Sequence, residues 1–114
     1  GMQLLFESSE ESNCKCLGII PGEIKKFKIS KKVPHIGWNQ IEDSNNSILK
    51  SCLSEYLYFV HSYYAEISEF TIGKTSYEIE FSSAVNKDNF YGVQFHPEKS
   101  STVGSKILKN FLEI

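Results

Sequence analysis

A histidine, a proline and a glutamate stand together at His96, Pro97 and Glu98, directly after the apolar run Phe90, Tyr91, Gly92, Val93, Gln94, Phe95. An imidazole moves protons near neutrality, and a carboxylate two residues away can orient it and stabilise its charged form. With a nucleophile added, such a pair performs acyl transfer. The run leading in suits a strand buried on both faces. Pro97 cannot donate to a ladder and holds His96 away from helical angles, so His96 is expected at the strand's C-terminal lip, where open α/β sheets bind ligands. The same three residues also suit an exposed charged turn, and the strand before them and the helix after them leave both readings open.

A second apolar strand, Tyr56 to Val60, leads into His61, Ser62 and Tyr63, and a third group combines Pro34, His35, Trp38, Asn39 and Gln40. Trp38 suits either a core or an interface. The nucleophile is harder to find. Ser62 lacks the glycine-flanked elbow that exposes a serine, Cys14 and Cys16 flank Lys15 in a polar stretch, and Cys52 lies between Ser51 and Leu53 with no glycine near it. Cys14 and Cys16 offer two ligands where structural zinc takes four, so they read as free thiols and neither metal nor cofactor is expected. Gly73, Lys74 and Thr75 echo the end of a phosphate loop, but Ser68 stands where that loop needs glycine, which leaves a hairpin tip. Glu7, Glu10 and Glu11 read as a solvated face.

The segment Gly92, Val93, Gln94, Phe95, His96, Pro97, Glu98 resembles the histidine and glutamate motif of class I glutamine amidotransferases, which strip ammonia from glutamine and pass it to a synthase. The segments Val33 to Gln40 and Tyr58 to Tyr63 are similar to those of the amidotransferase subunits of imidazole-glycerol-phosphate synthase, in histidine biosynthesis. The resemblance implies that His96 takes the proton of a cysteine nucleophile and returns it to departing ammonia, while Glu98 orients the imidazole. It further implies that Gln3, His61, Ser62 and Tyr63 lie against glutamine. Pro34, His35, Trp38, Asn39, Gln40, Tyr58 and Lys99 would meet a cyclase barrel, as a heterodimer through which ammonia passes without entering solvent. In that family the cysteine precedes Leu, Gly, Met, Gln; here Gly1, Met2 and Gln3 match only the end of that pattern. The nucleophile is therefore expected two residues upstream of Gly1, with the oxyanion loop further upstream, and the 114 residues alone are expected to be an inactive part of one domain. Gly1 is either the family's own glycine or a leftover residue before Met2. An amidotransferase subunit for surface-sugar modification and a non-catalytic interaction module remain as alternatives.

Composition bounds the rest. The chain is 40% hydrophobic and 13% aromatic, which is globular, and 114 residues suit one domain. A net charge of -2, with twelve lysines and no arginine, argues against nucleic acid. No apolar run is long enough for a membrane helix, so a cytoplasmic location is expected. The resemblance implies an α/β fold, the C-terminal part of a class I glutamine amidotransferase-like fold, with a strand-rich mixed sheet and a C-terminal helix. A helix stub is expected over residues 1–8, a loop over 8–15, two extended pieces broken at Pro21 and Gly22 within 17–29, and a short helix over 47–54. A hairpin turning at Gly73 to Thr75 would leave Tyr77, Ile79 and Phe81 on a dry face, with Glu78, Glu80 and Ser82 on a wet one. A turn over 86–89 precedes the histidine-bearing strand, and Ser100, Ser101 and Thr102 cap a helix striped by Val103, Ile107, Leu108 and Phe111.

Overall fold

The backbone of this computed structural model is described for residues 2–10, 14–44, 46, 48–49, 53 and 55–113. A 3-10 turn at Met2–Leu5 leads into β1 (Phe6–Ser9) and β2 (Cys14–Lys15), then β3 (Ile20–Lys26), β4 (His35–Gln40), β5 (Tyr56–His61) and β6 (Tyr63–Tyr64). β7 (Thr71–Tyr77), β8 (Ile79–Lys87) and β9 (Phe90–Val93) precede a 3-10 turn at Pro97–Lys99 and the helix α1 (Ser101–Leu112). The strands form sheets ordered β2-β1-β3-β6, β4-β5 and β7-β8-β9. β1 and β3 run parallel and the other pairs antiparallel, so the expected mixed α/β architecture with a C-terminal helix is present.

Several boundaries differ from the expectation, each for a packing reason. The helix stub is one 3-10 turn that gives way to β1, because pairing Phe6 with Ile20 and Ser9 with Ile24 buries Phe6, Ile20 and Ile24 in one cluster. β1 and β2 occupy part of the expected loop. β3 runs through Pro21 and Gly22, where the ladder with β1 shifts register and the Glu7 carboxylate accepts from the Gly22 amide at 2.9 Å. A register shift is where a strand tolerates a residue without an N–H. Most of the helix expected over 47–54, including Cys52, lies outside the described residues.

The hairpin is real, but its turn is at Glu78, with φ at 69°, and not at Gly73. Gly73 sits inside β7, where an added Cβ would stand 3.1 Å from Leu49 Cδ1 and 3.2 Å from Ser83 Oγ. Its smallness serves close packing. The Glu78 carboxylate accepts from the Ser30 amide at 2.8 Å and from the Ser30 hydroxyl, which ties the turn down. β8 is wet on one side only near this turn; from Phe81 to Val85 both faces are buried, which small residues at Ser82, Ser83 and Ala84 allow.

The larger core gathers Phe27, Ile41, Leu49, Leu57, Phe59, Phe81, Phe95 and Ile107 beneath β4, β5, the β7–β9 sheet and α1. Within it Phe59 and Phe81 are fully buried, each contributing roughly 2 to 3 kcal/mol of apolar burial. Gly104 lets α1 close on the Pro97 turn, since a Cβ there would stand 1.9 Å from the Pro97 carbonyl oxygen.

Candidate active site

β9 is an edge strand that ends at Val93, with Phe90 exposed and Tyr91 to Val93 half-buried. The expected strand buried on both faces up to His96 is thus corrected: only Phe95 of the run is buried, and His96 stands three residues beyond the ladder. The chain crosses over instead of continuing. The Gln94 amide still donates to Ser83 of β8 at 2.8 Å, and the His96 amide then donates to Tyr58 of β5 at 2.9 Å. Pro97 opens the following 3-10 turn, which brings Glu98 back against the imidazole.

His96 Nδ1 and Glu98 Oε1 lie 2.8 Å apart, with His96 about one third exposed and Glu98 more than half. With the carboxylate accepting from Nδ1–H, Nε2 is left for proton transfer. The Glu98 carboxyl is held below its ordinary range, first by its own backbone N–H at the start of the turn and then by the His96 hydrogen bond. The His96 backbone is anchored from behind by Ser100, which is fully buried. Its hydroxyl donates to the His96 carbonyl at 2.5 Å and accepts from the Tyr58 amide at 3.0 Å. Sequence spacing gave Ser100 only a capping role, and the side chain makes no cap bond.

Gln3, His61 and Tyr63 meet beside this segment. Gln3 Nε2 donates to the Tyr63 carbonyl and to Gln94 Oε1, each at 3.2 Å, and His61 Nδ1 lies 2.9 Å from the same Tyr63 carbonyl. Gln94 was missed as a polar partner because it stands in an apolar run. Ser62 is half-buried, and its carbonyl accepts from the Phe27 amide at 3.0 Å. His61 is buried, and burial first, with the His96 charge opposing protonation after it, pushes its pKa down to about 4.

β4 and β5 form a two-stranded ribbon whose two sides differ. Outward stand Ile36 beside Val60, Trp38 beside Tyr58 and Gln40 beside Tyr56, with Trp38 and Tyr58 in an edge-to-face contact at 5.8 Å. Ile36, Trp38 and Tyr56 are each at least half exposed. Pro34 begins the ribbon half-buried, and Lys99 is exposed in the 3-10 turn. His35 belongs to the other side: it is 3% exposed, with Nδ1 at 2.9 Å from His61 Nε2, and Asn39 Nδ2 reaches inward to the Ser76 carbonyl at 2.9 Å. Among the described residues no group of three or more histidine, cysteine, aspartate or glutamate side chains could hold a metal ion, and no helix is long and apolar enough to cross a membrane.

Known proteins are similar to this chain over its whole length. The subunit HisH of imidazole glycerol phosphate synthase from Bacteroides fragilis is 51% identical over 118 aligned residues, that from Buchnera aphidicola is also 51% identical, and HisH 2 of Legionella pneumophila is 48% identical. Each alignment takes in all of this chain and 59% to 60% of the relative, so the chain spans about 60% of their length. The sequence profile of the family "Glutamine amidotransferase class-I" matches residues 1–114. With the imidazole and carboxylate of its motif in contact, the chain belongs to the class I glutamine amidotransferases.

Proposed function

We propose that these residues serve the glutaminase subunit of imidazole-glycerol-phosphate synthase, releasing ammonia from glutamine for a cyclase partner in histidine biosynthesis. The observation that carries this is the 2.8 Å His96–Glu98 pair standing beside the Gln3, Tyr63 and Gln94 cluster. His96 acts as base towards a cysteine nucleophile, then as acid towards departing ammonia, and Glu98 holds the imidazole's tautomer. The relatives are longer than this chain, and we place the nucleophile and its oxyanion loop in the part they have beyond these residues. The 114 residues by themselves are then inactive, a portion of one amidotransferase domain. Gln3, His61, Ser62 and Tyr63 form the glutamine side.

The outward face of β4 and β5 is the cyclase docking surface, with Pro34, Trp38, Gln40, Tyr58 and Lys99 as contacts and His35 and Asn39 supporting it from beneath. A contiguous exposed strip of Ile36, Trp38, Tyr56 and Val60 is what a partner interface leaves bare in an isolated chain. The assembly is a heterodimer in the cytoplasm. To test this, an amidotransferase of the relatives' length carrying these residues is mixed with its cyclase and supplied with glutamine as the nitrogen source. Formation of imidazole glycerol phosphate supports the function; product formed from free ammonia but none from glutamine overturns it.

A further inference from the structure

Three side chains form a directed hydrogen-bond chain that ends on a backbone carbonyl, and the direction is fixed from that end. A carbonyl can only accept, so His61 Nδ1, 2.9 Å from the Tyr63 carbonyl, carries the proton. A neutral His61 then has its lone pair on Nε2, and His35 Nδ1, 2.9 Å away, must be the donor. His35 in turn has its lone pair on Nε2, facing the Asn39 amide at 3.4 Å. Asn39 is oriented for this, because its Oδ1 accepts from the Gln40 amide at 2.7 Å and its Nδ2 also donates to Ser76. The His35 ring is clamped by stacking on Tyr77 at 4.0 Å and Phe59 at 5.1 Å, which fixes its plane. The chain ends on the one carbonyl that also accepts from Gln3 Nε2.

Resting on the glutaminase function proposed above, we infer that His35 is a positioning residue for glutamine: its Nδ1–H satisfies His61 Nε2 and, with the Tyr63 carbonyl on the other side, holds the His61 ring in place, which fixes the Tyr63 carbonyl and, through it, Gln3. Without that donor, His61 Nε2 loses its partner inside the fold and only the Tyr63 carbonyl still holds the ring, so the imidazole is free to shift. Tyr63 and Gln3 would lose their fixed placement, while the His96–Glu98 pair would not. Ground-state binding should therefore suffer more than the chemical step.

Long-range proton–nitrogen spectra of the intact amidotransferase read the tautomers without any substrate. Single Nδ1–H tautomers for both His35 and His61 at pH 7 are expected; an Nε2–H tautomer or an averaged pattern at His61 would overturn the inference. Kinetics of the complex with its synthase supply the second arm. His35→Phe keeps the stacked ring and removes the donor, and should raise KM for glutamine about tenfold with kcat within about twofold, the loss of one positioned hydrogen bond. His35→Asn returns an N–H near the Nδ1 position and should recover most of that loss. An unchanged KM in His35→Phe, or no recovery in His35→Asn, would overturn the positioning role. A wild-type complex that never consumes glutamine would overturn the glutaminase function and the KM claim with it, whereas the spectra would still decide the tautomer.

Discussion

His96, the proposed general base, is held at three points. Its amide is tied to Tyr58, its carbonyl to Ser100, and its Nδ1 to Glu98, which leaves Nε2 as the working nitrogen. The Glu98 carboxyl is held below its ordinary range, by its own backbone N–H and then by the His96 hydrogen bond, so it is charged at neutral pH. Replacing Glu98 with Gln removes that charge and should lower kcat about ten- to a hundredfold, less than for a buried triad acid because the carboxylate is more than half exposed. Steady-state kinetics at saturating glutamine would check this; a change under twofold would deny Glu98 the orienting role. That His96 and Glu98 come together around Pro97 could be expected from their spacing. The support beneath them could not, since Ser100 reads as a cap and Gln94 as an interruption in a strand until tertiary contacts give each a partner.

Two elements carry the site, and each has one weak point. The 3-10 turn that presents Glu98 is held from below by α1, which approaches as closely as Gly104 permits. Gly104→Ala must push the helix off the Pro97 carbonyl and should cost about 2 to 3 kcal/mol in urea unfolding, despite alanine's better helix propensity. A stabilised variant would mean that α1 does not brace the turn. The other element is the β4–β5 ribbon. Trp38 is half exposed, so Trp38→Ala should leave unfolding within about 1 kcal/mol yet weaken cyclase binding by about tenfold or more, measured by calorimetry of the two subunits. Equal affinity would move the docking surface elsewhere. β5 and α1 were visible as an apolar run and a helical stripe. The turn at Glu78 was not, because a glycine reads as a turn residue whether it serves a turn or, as at Gly73, close packing.

At the scale of the molecule, the buried imidazoles set how the fold responds to acid. His35 and His61 are both pushed down to about 4 from the usual 6.5, His35 by burial first and then by the His61 and Lys31 charges, His61 by burial first. The unfolded chain thus takes up protons that the folded one refuses. Their contribution is fully present above about pH 6.5 and is lost as pH falls towards 4, on the order of 2 kcal/mol per group. Urea midpoints at pH 7 and pH 4.5 should differ accordingly, and His35→Phe should flatten the difference; equal midpoints in the wild type would contradict a neutral buried pair. The mixed α/β plan could be read from the order of apolar runs. The division into separate ladders could not, because pairings such as β1 with β3 join segments that local patterns leave unconnected. The proposed reaction runs through His96, so its removal is the most direct test. In an intact amidotransferase bound to its cyclase, His96→Ala should lower glutamate release from glutamine at least about a hundredfold while the complex still forms, whereas turnover equal to wild type would contradict the account.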